Sequence, residues 1–328
     1  MSESASDGAY KKISILVDDW LQIHKGESFD LDLICRQLEI RERDNRKLVA
    51  IKLAYEVKRG DRLEKLNRIY NTIDNTVKYI DWVNVSNVEP LKINFPYGIE
   101  DNSQFSFDDH VSISPGDIVV IAGNSNMGKT TWCLNLLWEN MDTFPCTLMG
   151  NEYTKGKFKR RVSRMTWKSP LKEDGTPKFE LIERRERWKD IIRPDNINII
   201  DWIMLGDNFY QIGMIIDGIQ SKLRNGIAVI SLQKDPAKTR GRGGTFSEDL
   251  ASLYLAIDYQ RLTVVKAKEW QGMNPNGKMY GFDIVDGGTK FHNIREVKKC
   301  PKCFGNSPVK GYKCETCQGR GYVDLEEF

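Results

Sequence analysis

One stretch, Gly123-Asn124-Ser125-Asn126-Met127-Gly128-Lys129-Thr130, constrains this chain more than any other part of its 328 residues. It follows an apolar run, Ile118 to Ala122, that reads as a buried strand. After it comes a helix opening near Lys129, with Trp132, Leu134, Leu136 and Leu137 marking an apolar side. Glycines at 123 and 128 let backbone N–H groups turn inward, and the helix N-terminus adds the positive end of its dipole. Such a cradle suits a triphosphate, with Lys129 reaching the β- and γ-phosphates and the Thr130 hydroxyl holding Mg²⁺. The pattern therefore predicts an ATP site on Gly123, Asn124, Ser125, Asn126, Met127, Gly128, Lys129, Thr130 and Thr131.

A strand that feeds a helix through this loop belongs in a parallel α/β sheet, and residues 111 to 295 alternate apolar strands with helices in that manner. In such sheets the ligand crevice lies at the carboxyl ends of the strands, so acids there are candidates for metal and water chemistry. Two acids stand in the expected order. Thr147 to Met149 form a short strand ending at Glu152, and Ile197 to Ile200 form one ending at Asp201. Glu152 is suited to deprotonate an attacking water and Asp201 to order Mg²⁺.

Before this unit, residues 1 to 75 read as three helices and a tight hairpin. Ile13, Leu16, Val17, Trp20 and Leu21 carry the first helix, Asp30 caps the second, and Gly60 ends the third. The order resembles a winged helix-turn-helix. Its third helix and hairpin carry Arg46, Lys47, Lys52, Arg62 and further cations, which serve either a DNA groove or a solvated, protein-contacting face. Residues 76 to 110, with Pro90, Pro96 and many Asn and Asp, read as a polar linker.

The motifs of the central region resemble the RecA-like ATPases, and among them the DnaB-type replicative helicases of phages and mobile elements. The resemblance rests on Ile118 to Gly123 running into Asn126 to Thr131, on Met149-Gly150-Asn151-Glu152, on Ile199-Ile200-Asp201-Trp202, and on Val229-Ile230-Ser231-Leu232-Gln233. It implies a catalytic role for Glu152, a metal-ordering role for Asp201, and coupling of the γ-phosphate to DNA-binding loops by Gln233. The following segment is cationic and glycine-rich, with Lys238, Arg240 and Arg242 placed to grip a nucleic-acid backbone. The resemblance also implies a cation acting on the neighbouring subunit's γ-phosphate, and Lys266 or Lys268 would fill that role, because Trp270 stands where the pattern has an arginine. A head-to-tail homo-oligomer, a hexameric ring or a filament, follows from that arrangement.

Near the end, Cys300, Cys303, Cys314 and Cys317 form two CxxC pairs ten residues apart, which predicts a structural Zn²⁺ held by four thiolates in a tail over residues 296–328. Cys314 to Gly321 resembles half of the cysteine-rich repeat of DnaJ-type chaperones. Cys35, Cys133 and Cys146 lie apart in apolar surroundings and read as core thiols. Charge is nearly balanced, 49 Lys and Arg against 46 Asp and Glu, so a nucleic-acid partner must rest on local clusters. No apolar run approaches the roughly 18 residues of a membrane span, and a cytoplasmic protein is expected. Together the motifs predict a DNA-dependent ATPase motor, a helicase or translocase working on single-stranded DNA with replication partners such as a primase or loader. The alternatives are a RecA-like recombinase and an ATP-switched DNA-binding protein without unwinding activity.

Overall fold

The computed structural model describes residues 3–60, 62–73, 89–151, 153–205, 209–235, 238–305 and 313–325. The chain divides into two compact units, Met1–Ser86 and Asn87–Phe328. The smaller contains α1 (Glu3–Ile23), β1 (Ser28–Phe29), α2 (Leu31–Gln37), α3 (Arg43–Arg59), β2 (Leu63–Leu66) and β3 (Ile69–Thr72). The Asp30 carboxylate accepts the Leu33 amide at 2.7 Å and so caps α2. Gly60 ends α3 at a φ of 72°, where a side chain would be strained. Val17, Ile34, Val49, Leu53 and Leu63 form a closed core. The three helices and the hairpin fall where the sequence places them, and the two-residue β1 is added beside β3, giving the order β1-β3-β2.

Several cations of this unit are engaged internally. Lys52 and Glu56, one helical turn apart, are both buried, with 2.7 Å between Nζ and Oε1. Asp18 accepts from Lys52 at 3.0 Å and from Arg62 at 2.6 Å, and Arg62 also reaches Glu56 at 2.7 Å. Although burial opposes it, the hydrogen bonds from Arg62 and Lys52 hold the Asp18 carboxyl below its ordinary range. Arg46 pairs with Asp32 and Lys47 with Asp44. The basic face read from the sequence is therefore thinner than its residue count, since acids stand beside four of its cations, two of them by helical spacing.

The larger unit is a mixed α/β fold. Its elements are β4 (Ile118–Gly123), α4 (Lys129–Asn140), β5 (Cys146–Gly150), α5 (Lys155–Val162), β6 (Phe179–Glu183), β7 (Ile197–Ile203), α6 (Gln211–Gln220), β8 (Ile227–Gln233), β9 (Leu253–Asp258), β10 (Arg261–Ala267), β11 (Met279–Val285), β12 (Lys290–Lys299) and β13 (Tyr322–Asp324). Among the described residues they form one ten-stranded sheet in the order β13-β12-β11-β10-β9-β4-β8-β7-β5-β6. The strands from β9 to β6 in that order run parallel, and β10 to β13 are added antiparallel. The expected parallel sheet thus stops at β9. Short turns join β9 to β10 and β11 to β12, and a turn that short can only reverse the chain.

Both faces of the parallel part are covered, which is why its strands read as continuous apolar runs. Val119 and Ile121 face α4, while Ile118, Val120 and Ala122 face Ile212, Ile216 and Ile219 of α6. The sequence suggests an amphipathic α4, yet it is buried on nearly every side. Its outer surface is covered by residues 91–113, where Phe95, Phe105 and Phe107 enter the core. Asn94 and Asn140 bind each other's backbone-facing groups, the Asn94 amide donating to Asn140 Oδ1 at 2.9 Å and Asn140 Nδ2 to the Asn94 carbonyl at 2.7 Å. The linker expected over 76–110 is corrected accordingly. Its first part, up to residue 88, lies outside the described residues, and the rest belongs to the larger unit, anchored by aromatics too widely spaced to register as an element. The boundary expected at residue 295 likewise falls inside β12, and β13 returns to pair with it through Val297 and Asp324 and through Lys299 and Tyr322. Among the described residues no helix is long and apolar enough to cross a membrane.

Candidate functional site

At the carboxyl end of β4 the backbone turns through Asn126 (φ 60°) and Gly128 (φ 105°) into α4. Asn tolerates positive φ better than most residues, and at Gly128 a Cβ would also stand 2.6 Å from Ile284 Cδ1. The loop borders a cavity of about 420 Å³. Lys129 is 7% exposed, and its ammonium donates to the carbonyls of Gly123 (2.9 Å) and Asn124 (2.8 Å) and to Gln233 Oε1 (2.9 Å). Gln233 comes here because β8 lies beside β4 in parallel register, with Gly123 opposite Gln233. Its amide nitrogen donates to Ser125 Oγ at 2.9 Å, so one side chain ties the loop's lysine to the loop's serine.

Thr130 and Thr131 both border the cavity. Thr131 is committed elsewhere, its hydroxyl donating to the Gly288 carbonyl at 2.7 Å, while Asn135 one turn on donates to the Thr289 carbonyl at 2.8 Å. These bonds fasten the turn between β11 and β12 against the start of α4, with Thr131 still at the cavity's edge.

Asp201 is buried inside β7 rather than exposed at its end, since the strand continues to Ile203. The β7–β8 register shifts between Ile200 and Ile203, and the Asp201 carboxylate accepts from Tyr153 Oη (2.7 Å) and Ser231 Oγ (3.0 Å). Gly150 makes room, because a Cβ there would meet the Asp201 carbonyl at 2.2 Å. Glu152 lies outside the described residues. The cavity is bounded on this side by Trp202 and by Arg161 of α5. Arg161, Ile284 and Gly288 carry no sequence signal of a site, although Asp286-Gly287-Gly288 does signal a turn. The lining offers an ammonium, a guanidinium, an amide and a helix N-terminus, and is suited to an anion.

No family model matches the chain, and no curated protein does.

The remaining expected residues lie apart from the cavity lining. Lys234, just past Gln233, is buried and ion-paired with Asp258 at 2.6 Å. The glycine-rich segment after Gln233 is folded back, with the Arg242 amide donating to the Gln233 carbonyl at 2.7 Å and the Gly241 amide to Tyr254 Oη at 2.8 Å. Its three cations have neighbours: Lys238 pairs with Asp235, Arg240 with Glu248, and Arg242 sits over the Phe209 ring. Lys266 donates to the carbonyls of Glu248 (2.8 Å) and Asp249 (3.2 Å), and burial lowers its ammonium's pKa. Lys268 is exposed beyond the end of β10.

The four terminal cysteines converge. Their sulfurs all lie within 4.8 Å of one another, with Cys300 to Cys314 at 3.8 Å and Cys303 to Cys317 at 3.6 Å. Bonds of about 2.3 Å to a tetrahedral ion put sulfurs about 3.8 Å apart, so the cluster fits a metal ion. Burial opposes ionisation of Cys317, but the Gly321 amide at 3.2 Å and the neighbouring thiols bring it down to about 6.

Proposed function

We propose that the larger unit is a RecA-like ATPase related to the DnaB-type helicases, working as a DNA-dependent motor on single-stranded DNA. The observation that carries this reading is the contact of Lys129, at the start of α4, with Gln233, which β8 places opposite Gly123 of β4. An amide at that position can exchange the lysine for a phosphate oxygen and relay the change into the segment that follows, which holds Lys238, Arg240 and Arg242. Asn124 to Lys129 would hold the phosphates of ATP, Thr130 and Asp201 would hold Mg²⁺, and Glu152 would take the proton of the attacking water. Bound Mg²⁺ supplies charge neutralisation at the phosphates.

On this reading Lys266 or Lys268 faces a neighbouring subunit in a ring or filament. The smaller unit is a winged-helix module for DNA or for a primase or loader, and the four cysteines hold Zn²⁺ as a structural ion. A second reading is an ATP-switched DNA-binding protein that does not unwind. The engagement of Lys266 with two carbonyls and the pairing of the loop cations favour it, since a motor needs those groups at its partners. Phosphate release measured with no DNA, single strands and duplex separates the two. Stimulation by single strands supports the motor, and turnover indifferent to every form of DNA refutes it.

A further inference from the structure

Arg161 borders the same cavity as Lys129 and Gln233, yet the cluster of expected site residues does not include it. It lies in the last turn of α5, the helix that follows β5, and among the described residues no acid pairs with it. Its guanidinium lies near two parts of the site. One Nη lies 3.8 Å from where a Cβ would stand on Gly288, and its charge acts on Tyr153, whose hydroxyl is bonded to Asp201. One turn on, Arg164 donates to the Gly287 carbonyl at 3.3 Å, so closely that a Cβ on Gly287 would collide with it. This contact docks the end of α5 on the β11–β12 turn that Thr131 fastens to α4. Arg161 thus borders the same cavity as the Gly123–Thr130 loop, with Lys129 and Gln233 in its lining.

The position of the partner-supplied cation is weak in this chain. Trp270 occupies the arginine's place and is exposed, and the Lys266 ammonium is already bonded to two carbonyls. We propose that Arg161 supplies the missing charge from within its own subunit, donating to the terminal phosphate of bound ATP. The proposal rests on reading the Gly123–Thr130 loop as an ATP site. Arg161 moves no proton; it stabilises the negative charge that grows on the transferred phosphoryl group and the leaving oxygen.

The test uses the full chain with Arg161→Ala and Arg161→Lys, measuring ADP and ATP affinity with fluorescent nucleotides and turnover by phosphate release. Arg161→Ala should leave ADP affinity within about twofold, weaken ATP about tenfold or more, and lower kcat by roughly 10²- to 10³-fold, with partial rescue by lysine. Mixing Arg161→Ala chains with Lys129→Ala chains should restore no turnover, because both groups serve one site. Equal weakening of ADP and ATP, an unchanged kcat in a folded variant, or restored turnover in the mixture overturns the proposal. Wild-type turnover with an indifferent Arg161→Ala overturns this assignment alone, whereas wild-type protein that binds no ATP overturns the underlying reading as well.

Discussion

Gly128→Ala tests whether backbone geometry at the loop, and not residue type alone, shapes the cavity. Gly128 sits at φ 105°, where an L residue loses about 1–2 kcal/mol or more against its preferred regions. The new methyl would also stand 2.6 Å from Ile284 Cδ1, well inside contact distance, and overpacking of this kind costs about 1–3 kcal/mol. The two effects together predict a loss of about 2–5 kcal/mol. Ile284→Val removes the very atom in the way, at its own cost of about 0.5–1.5 kcal/mol. The double variant should therefore recover the steric part and leave the dihedral part, a coupling of about 1–3 kcal/mol in a cycle of urea midpoints on the full chain. A coupling near zero, or a neutral Gly128→Ala, refutes the packing of the β11–β12 hairpin against the loop.

Three further outcomes follow from the same contacts. Purified protein should contain stoichiometric zinc by elemental analysis, and Cys314→Ser combined with Cys317→Ser should lose it and lower the unfolding midpoint; zinc retained by that double variant contradicts the four-cysteine centre. Tyr153→Phe removes a donor to the buried Asp201 carboxylate and should destabilise the chain by about 1.5–3 kcal/mol in denaturant titration, a neutral result counting against the network. Burial, helped by Asp109, pushes the Asp108 carboxyl up to about 6, so the folded chain holds that proton more tightly than the unfolded one. Stability from this group is present below the unfolded carboxyl range and lost as pH rises through about 6. Asp108→Asn should therefore raise the urea midpoint at pH 7 and not at pH 4; equal effects at both would contradict the burial of that carboxylate.

What the sequence makes legible follows from how local each signal is. Gly123, Gly128 and Lys129 sit within one turn of chain, and their backbone requirements select them as a unit. The four cysteines are equally local, and their sulfurs converge as the spacing implies. Gln233 lies far along the chain, and its place beside Lys129 depends on β8 pairing with β4, which an apolar run alone does not specify. Strand ends are harder still. Asp201 reads as a terminus because it is charged, whereas Tyr153 and Ser231 satisfy its carboxylate and let β7 continue past it. Phe95, Phe105 and Phe107 sit in a polar, proline-containing stretch with no period, so their role in covering α4 is visible only in three dimensions. Arg161 was hidden by its neighbours: in Lys159-Arg160-Arg161, only the phase of α5 distinguishes the residue facing the cavity.

The central claim is that the Gly123–Thr130 loop binds ATP through Lys129. Calorimetric titration of ATP with Mg²⁺ into the wild-type chain and into Lys129→Ala tests it most directly. The account predicts saturable binding at one site per subunit that Lys129→Ala weakens by at least about tenfold, in keeping with loss of a charge-assisted contact to phosphate. Absence of binding by the wild type, or equal binding by both proteins, would contradict it.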